Sequence, residues 1–235
     1  CYAANDLKLK CKFSMTRTIA PETTLESLCS PCLLNRPIPH PSQPTKLGIL
    51  ASGSGSNFEA IAQAIATHQL AAQVEVMINN NPEAKAFQRA QAHHIPAQLL
   101  NHRDYPSREA LDQAIADVLH HHGVELVVMA GWMRIVTPVL LNACPHVLNI
   151  HPSLLPSFKG IHAVEQALAA GVKITGCTVH WVVPELDSGP IIIQSAVPVL
   201  AEDTPYTLHA RIQVQEHRII VDAIALAAAQ LINAK

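Results

Sequence analysis

The sequence predicts an α/β chain: a mainly parallel, twisted sheet with helices on both faces, and an antiparallel addition at one edge near the C-terminus. From Lys46 onward, short apolar runs alternate with stretches of helical periodicity, the signature of repeated βα units. Near the C-terminus two long β-rich runs, 174–183 and 190–199, follow one another with no helix between them, which suits antiparallel pairing. With 235 residues, 49% of them hydrophobic, the chain is large enough for one large domain or two small ones.

Each element follows from local pattern. Residues 47–51 (LGILA) read as the first strand, ending in the glycine-containing turn 52–56. Phe58, Ile61, Ala62 and Ile65 then recur at helical spacing. Residues 74–78 (VEVMI) read as a strand stopped by the polar run 79–82. A helix over 83–93 and a short strand over 97–100 precede the helix marked by Leu111, Ile115, Val118 and Leu119. The runs 125–130 (ELVVMA) and 146–150 (HVLNI) are continuously apolar enough for strands buried on both faces. A helix around 163–170 leads into the two β-rich runs, and the last helix spans 204–233. Ligands of such sheets bind outside the carboxyl ends of the strands, which selects the turns after Ala51, Ala130 and Ile150.

Residues 1–45 differ. Five prolines between Pro31 and Thr45 oppose helix and strand pairing, so this segment is expected to be a disordered, Pro-rich leader to a domain over 46–235. The chain begins with Cys1, and Met15 opens a plausible start. Asp6, Glu22 and Glu26 count against an organellar transit peptide, and the continuous apolar core of a signal peptide is missing, so the expected location is cytoplasmic.

Composition excludes several function classes. Sixteen Lys+Arg against eighteen Asp+Glu give a net charge of -2, without the basic excess a nucleic-acid binder needs. Aromatic residues, at 4%, are too few for a base-stacking platform. The sequence lacks an apolar run of about 18 residues, so a membrane span is not expected. Of six cysteines, Cys29 and Cys32 form a lone C-x-x-C that no second pair completes; structural thiols in a reducing compartment are expected, and no metal. His120–His122 fall at a helix end, where a positive or polar group is merely favourable.

Three segments could carry chemistry. Ser52–Asn57 (SGSGSN) joins a strand to a helix, where glycines allow a tight turn and free N–H groups attract an anion. It lacks both the third glycine of a dinucleotide fingerprint and the lysine of a triphosphate loop, so a phosphate monoester is the better guess. A plain βα turn capped by Ser56 is the ordinary alternative. In 149–156 (NIHPSLLP), the period of two puts Asn149 and His151 on one face at a strand's exit, with Pro152 and Pro156 fixing the loop. A hydrogen-bonded core histidine is the alternative there. The segment 185–190 (ELDSGP) alone reads as a hairpin connection, yet it offers the carboxylate His151 would need for orientation.

From Lys46 to about Asn233 the chain resembles the folate-dependent formyltransferases. The resemblance rests on SGSGSN, on AGWMRIV at 130–136, on NIHPSLLP, on the run from Gly176 to Pro190, and on Gln215-Glu216-His217. SGSGSN narrows it to the branch with a phosphorylated substrate, the phosphoribosylglycinamide formyltransferases. Pro184 and Trp132 depart from the family pattern, where an acidic residue and Phe are usual.

The resemblance implies a Rossmann-like formyltransferase fold. It also implies formyl transfer from 10-formyltetrahydrofolate, a co-substrate, to the amine of N1-(5-phospho-D-ribosyl)glycinamide in purine synthesis. Its implied catalytic residues are Asn149, His151 and Asp187. Gly55, Ser56 and Asn57 would hold the phosphate, and Glu216 the glycinamide portion. Arg108, Met133, Arg134, Ile135, Val136 and Asn149 would meet the folate. Thr178 and His180 would support the site strand, while His162 reads equally as a first-turn helix residue. No tightly bound cofactor, nucleic acid or membrane is implied. A formyltransferase acting on methionyl-tRNA or a nucleotide sugar, or a formyltetrahydrofolate hydrolase, is the alternative within the fold. A tRNA enzyme is expected to carry a further C-terminal domain and a basic surface, and a hydrolase an N-terminal regulatory domain. From another class, a non-catalytic folate- or nucleotide-binding module is the alternative.

Overall fold

The computed structural model describes residues 29–30 and 43–233. Most of the expected leader and the Cys32 half of the C-x-x-C pair therefore lie outside the described residues. Within them, Cys29–Ser30 (β1) is a short strand, and the domain's first strand, Thr45–Ala51 (β2), opens one residue before the expected boundary.

The chain continues through Ser56–Ala66 (α1), Ala72–Asn79 (β3), Ala86–Ala92 (α2), Ala97–Leu99 (β4), Arg108–His121 (α3), Leu126–Met129 (β5), Pro138–Ala143 (α4), Val147–His151 (β6), Ala163–Ala169 (α5), Ile174–Trp181 (β7), Ile191–Pro198 (β8) and Pro205–Asn233 (α6). Among the described residues these form one eight-stranded sheet, ordered β1-β8-β7-β6-β5-β2-β3-β4. β4, β3, β2, β5 and β6 run parallel, whereas β7 and β8 add antiparallel at the far side, as the missing helix between them predicts; β1, which lies in the segment expected as leader, pairs antiparallel with β8.

The parallel strands carry apolar residues on both sides because helices cover both faces. Leu47, Ile49 and Ala51 of β2 point into a core shared with Phe58 and Ile61 of α1 and with the inner face of α6. Leu50 of the same strand points the other way, toward Leu111 and Ile115 of α3 and Leu140 of α4. These side chains are buried, and each of the leucines, isoleucines and Phe58 contributes about 1.5–3 kcal/mol.

The chain moves outward from β2 to β4 and then returns to β5 on the other side of β2. The carboxyl ends of β2 and β5 therefore flank a switch point where the following loops diverge, leaving a crevice.

Three elements differ from expectation. The helix expected from 83 begins only at Ala86, because the Asn81 carboxamide accepts the Glu83 N–H and the Asn81 carbonyl accepts that of Ala84. α4, six residues long, is too short to show periodicity; Thr137 caps it and Pro138 opens it. β6 extends through His151, one residue beyond the expected strand, because His151 still pairs with Thr178 of β7.

Candidate functional site

The polar residues of β6 leave the strand on one side. Asn149 lies opposite His180 of β7, and His151 opposite Thr178. His180 donates from Nδ1 to the Trp181 carbonyl at 2.9 Å. Its Nε2 sits between Asn149 Nδ2, at 3.3 Å, and Asp187 Oδ1, at 3.7 Å. The His151 Nδ1 is 3.5 Å from Asp187 Oδ2, and its Nε2 donates to the Phe158 carbonyl at 2.8 Å. Both His151 partners are acceptors, so the ring donates to both only when doubly protonated. Asn149, His151 and Asp187, widely separated in sequence, thus belong to one buried polar network.

Asp187 arrives through local geometry. It sits in the left-handed region (φ 47°), which Asp tolerates better than most residues, and its carboxylate accepts the Gly160 N–H at 2.8 Å. Two residues on, a Cβ at Gly189 would stand 1.8 Å from the Trp181 carbonyl oxygen, so only glycine permits this close approach. Burial pushes the Asp187 carboxyl up, but the imidazole of His180 beside it, the hydrogen bond from Gly160 and the charge of His151 outweigh it, leaving it below its ordinary value.

The loop after β6 is pinned from beneath. Thr178 Oγ1 donates to the Ser153 carbonyl at 2.7 Å and accepts from the Leu155 N–H at 3.1 Å and from Gln194 Nε2 at 2.9 Å. Lys159 reaches Ser188 Oγ and lies 3.7 Å from Glu185, tying this loop to the Asp187 loop.

The second part of the site is the turn between β2 and α1. The cap residue of α1 is Gly55 rather than Ser56, with φ 70°, and no side chain caps the helix. A Cβ there would lie 2.8 Å from Ala86 Cα, so both the dihedral and the packing require glycine. The uncapped helix start presents main-chain N–H groups suited to an anion. The Asn57 side chain is committed elsewhere: its Nδ2 donates to Glu216 Oε2 at 3.3 Å. Gln213 Nε2, on the same face of α6, donates to Ser56 Oγ at 3.4 Å. Glu216 is buried, and burial pushes its carboxyl up to about 7 against the opposing hydrogen bond from Asn57. The strands that deliver the two parts, β2 and β6, are separated by β5 alone, a span of two strand spacings or about 10 Å.

The third part is the loop after β5. Ser52 donates its N–H to the Gly131 carbonyl at 3.1 Å, and its Oγ accepts the Met133 N–H at 2.9 Å, so the loop is tied to the anion turn across the switch point. Met133 and Ile135 are exposed, and Arg134 is half-buried. Val136 and Trp132 turn inward into the core beneath α3 and α4. Asp112 of α3 accepts the Thr137 N–H, and Arg134 lies close enough to favour the Asp112 charge, although burial raises that carboxyl overall. Arg108 is exposed, one turn before Asp112. His162 is also exposed, capping α5 from the left-handed region.

Sequence reasoning missed Ser52 as the tie between two loops and the Phe158 carbonyl as the partner of His151. Ser52 opens the SGSGSN run but is indistinguishable by residue type from the other serines in it. A main-chain carbonyl leaves no signal in residue type.

Known proteins resemble this chain over most of its length. A family model described as formyl transferase matches residues 45–224. The phosphoribosylglycinamide formyltransferase of Bacillus subtilis is 44% identical over 174 residues, covering 74% of this chain and 89% of that protein. The human trifunctional purine biosynthetic protein adenosine-3 is 42% identical over 184 residues. That match takes in 78% of this chain but only 18% of the longer protein. Among solved structures, glycinamide ribonucleotide transformylase 1 from Symbiobacterium toebii superposes with a TM-score of 0.79 at 44% identity, covering 81% of this chain and 90% of that one.

Proposed function

This chain belongs to the formyl transferase family, and we propose that it transfers the formyl group of 10-formyltetrahydrofolate to the amine of N1-(5-phospho-D-ribosyl)glycinamide. The products are the N-formyl ribonucleotide and tetrahydrofolate, a step of purine biosynthesis. The observation that carries the proposal is the Asn149–His180–Asp187–His151 network, built from β6, β7 and the loop after β7, two strand spacings from the uncapped helix start that follows β2.

The chemistry follows from that arrangement. The uncharged amine attacks the formyl carbon, a C–N bond forms, and charge develops on the formyl oxygen. Asn149 Nδ2 and His151 Nε2 donate to that oxygen, and one well-placed donor is worth about 3 kcal/mol in such a site. For His151 this means exchanging the Phe158 carbonyl for the formyl oxygen. Asp187, ionised and buried, favours the imidazolium that donates most strongly. As the intermediate collapses, the bond from carbon to N10 of the folate breaks. The proton leaving the amine passes to N10, with His151 placed to relay it.

Gly55, Ser56 and Asn57 bind the phosphate through main-chain N–H groups. A span of about 10 Å between β2 and β6 suits a ribose and glycinamide held between the two parts. Glu216 receives the glycinamide side of the substrate. Met133, Arg134 and Ile135 line the pterin site with main-chain polar groups beside apolar side chains, and Arg108 meets the glutamate tail of the folate. Val136 acts from the core, holding the loop's inner side.

Formylation of the ribonucleotide by purified protein, followed through tetrahydrofolate release, tests the proposal. Product is expected from the wild type, with kcat lowered at least 100-fold, on the order of general acid–base contributions, in His151→Ala and Asp187→Asn. Absence of product from the folded wild-type protein refutes the activity. Unchanged turnover in either variant removes that residue from the mechanism.

A further inference from the structure

The anion turn is held from outside by a side chain of α2. Arg89, on α2, donates from Nε to the Ser54 carbonyl at 2.9 Å and from Nη1 to Glu59 Oε2 at 3.0 Å. Glu59 stands in the first turn of α1, its N–H bonded to the Gly55 carbonyl at 2.9 Å. Its other oxygen meets His93 Nε2 at 2.9 Å and Gln63 Nε2 at 3.0 Å. Burial pushes the Glu59 carboxyl up, but hydrogen bonds from His93, Arg89 and Gln63 outweigh it and leave it below its ordinary value. A second anion would therefore bind at a helix start that already carries a carboxylate, and the two repel.

Arg89 resolves that conflict. Its guanidinium pairs with Glu59 and grips the turn at Ser54, while its Cδ would lie 3.4 Å from a Cβ built on Gly55. Three further N–H donors of the guanidinium lie beyond these two bonds. Its side chain is 37% exposed, so Arg89 is not sealed in the core. The Arg89 charge also reaches α6, where burial and that charge together lower His217, the neighbour of Glu216.

We propose that Arg89 is the positioning residue of the anion turn and the positive charge that makes it select a phosphomonoester over an uncharged hydroxymethyl end. This rests on the ribonucleotide reading above. A residue that merely fastened α2 to α1 would affect every substrate alike. A positioning role toward the phosphate depends on whether the phosphate is present.

The test compares wild type, Arg89→Gln and Arg89→Lys on the ribonucleotide and on its phosphate-free riboside, with urea unfolding to verify folding. With the ribonucleotide, Arg89→Gln is expected to lose about tenfold or more in kcat/KM, carried by KM. With the riboside the loss should shrink to within about twofold, and Arg89→Lys should fall between, because lysine keeps the charge but not the two-pronged grip. Equal losses on both substrates, or no loss on either, overturn the proposal. In the wild-type protein, inorganic phosphate should shift the Arg89 Nε–H resonance, assigned by through-bond correlation along the Arg89 side chain to its own backbone amide. An unmoved resonance at saturating phosphate overturns the proposal even if the variants fail to fold. A wild type that shifts this resonance yet forms no product would sink the ribonucleotide reading and leave the phosphate role of Arg89 standing.

Discussion

Replacing Glu216 by Gln should stabilise the protein at alkaline pH and leave its stability nearly unchanged in acid. The buried Glu216 carboxyl stands at about 7 rather than its ordinary 4.5, because burial penalises its charge more than Asn57 relieves it. The folded state thus holds the proton more tightly than the unfolded chain does. The neutral carboxyl carries no such penalty below about pH 4.5; the cost of ionising it grows through the window up to about 7 and is complete above. At about 1.4 kcal/mol for each tenfold step in proton affinity, the full cost is about 3 kcal/mol. Gln keeps the shape and an oxygen for Asn57 Nδ2 but cannot ionise. Urea unfolding of both proteins at about pH 4.5 and about pH 8.5 isolates the effect, since other titrations cancel in the difference. The gap should move toward the variant by about 3 kcal/mol across that range. A gap that stays constant within about 0.5 kcal/mol would refute the reasoning. The same substitution should raise KM for the ribonucleotide, because Gln offers the glycinamide side no charge.

Two further outcomes follow from the same structure. Thr178→Val removes a buried hydroxyl that serves Ser153, Leu155 and Gln194, so about 2–3 kcal/mol of stability should be lost in urea unfolding. The β6 loop should also loosen, and kcat should fall with it; full activity in the folded variant would show that the Thr178 bonds do not position His151. Gly55→Ala places a Cβ 2.8 Å from Ala86 Cα at φ 70°, which should cost about 1–3 kcal/mol. Its KM for the ribonucleotide should rise while that for the folate stays put, and an unaltered ribonucleotide KM would detach the turn from phosphate binding.

Much of the framework was legible because hydrophobic periodicity reports burial directly. The parallel strands show as continuous apolar runs such as Leu126–Met129, and the missing helix between β7 and β8 announces their antiparallel pairing. The same-face relation of Asn149 and His151 follows from the period of two. Short elements escaped for the same reason: α4 has too few residues to display a period, and the start of α2 was decided by an Asn81 side-chain bond. Val136 and Trp132 sit within a motif that reads as pocket-lining, yet packing against α3 and α4 draws both into the core.

By itself, then, the sequence determined which residue types stand at strand exits and helix starts, because those depend on local backbone preference and on alternation along the chain. Tertiary structure alone decided which of them meet. Asp187 reaches His151 and His180 because β7 folds back antiparallel on β6. Glu216 reaches Asn57 because α6 crosses α1, and Arg89 reaches Ser54 because α2 packs under Gly55. Each contact joins distant parts of the chain, and its energy depends on desolvation and distance, quantities that exist only once the sheet has closed its two cores.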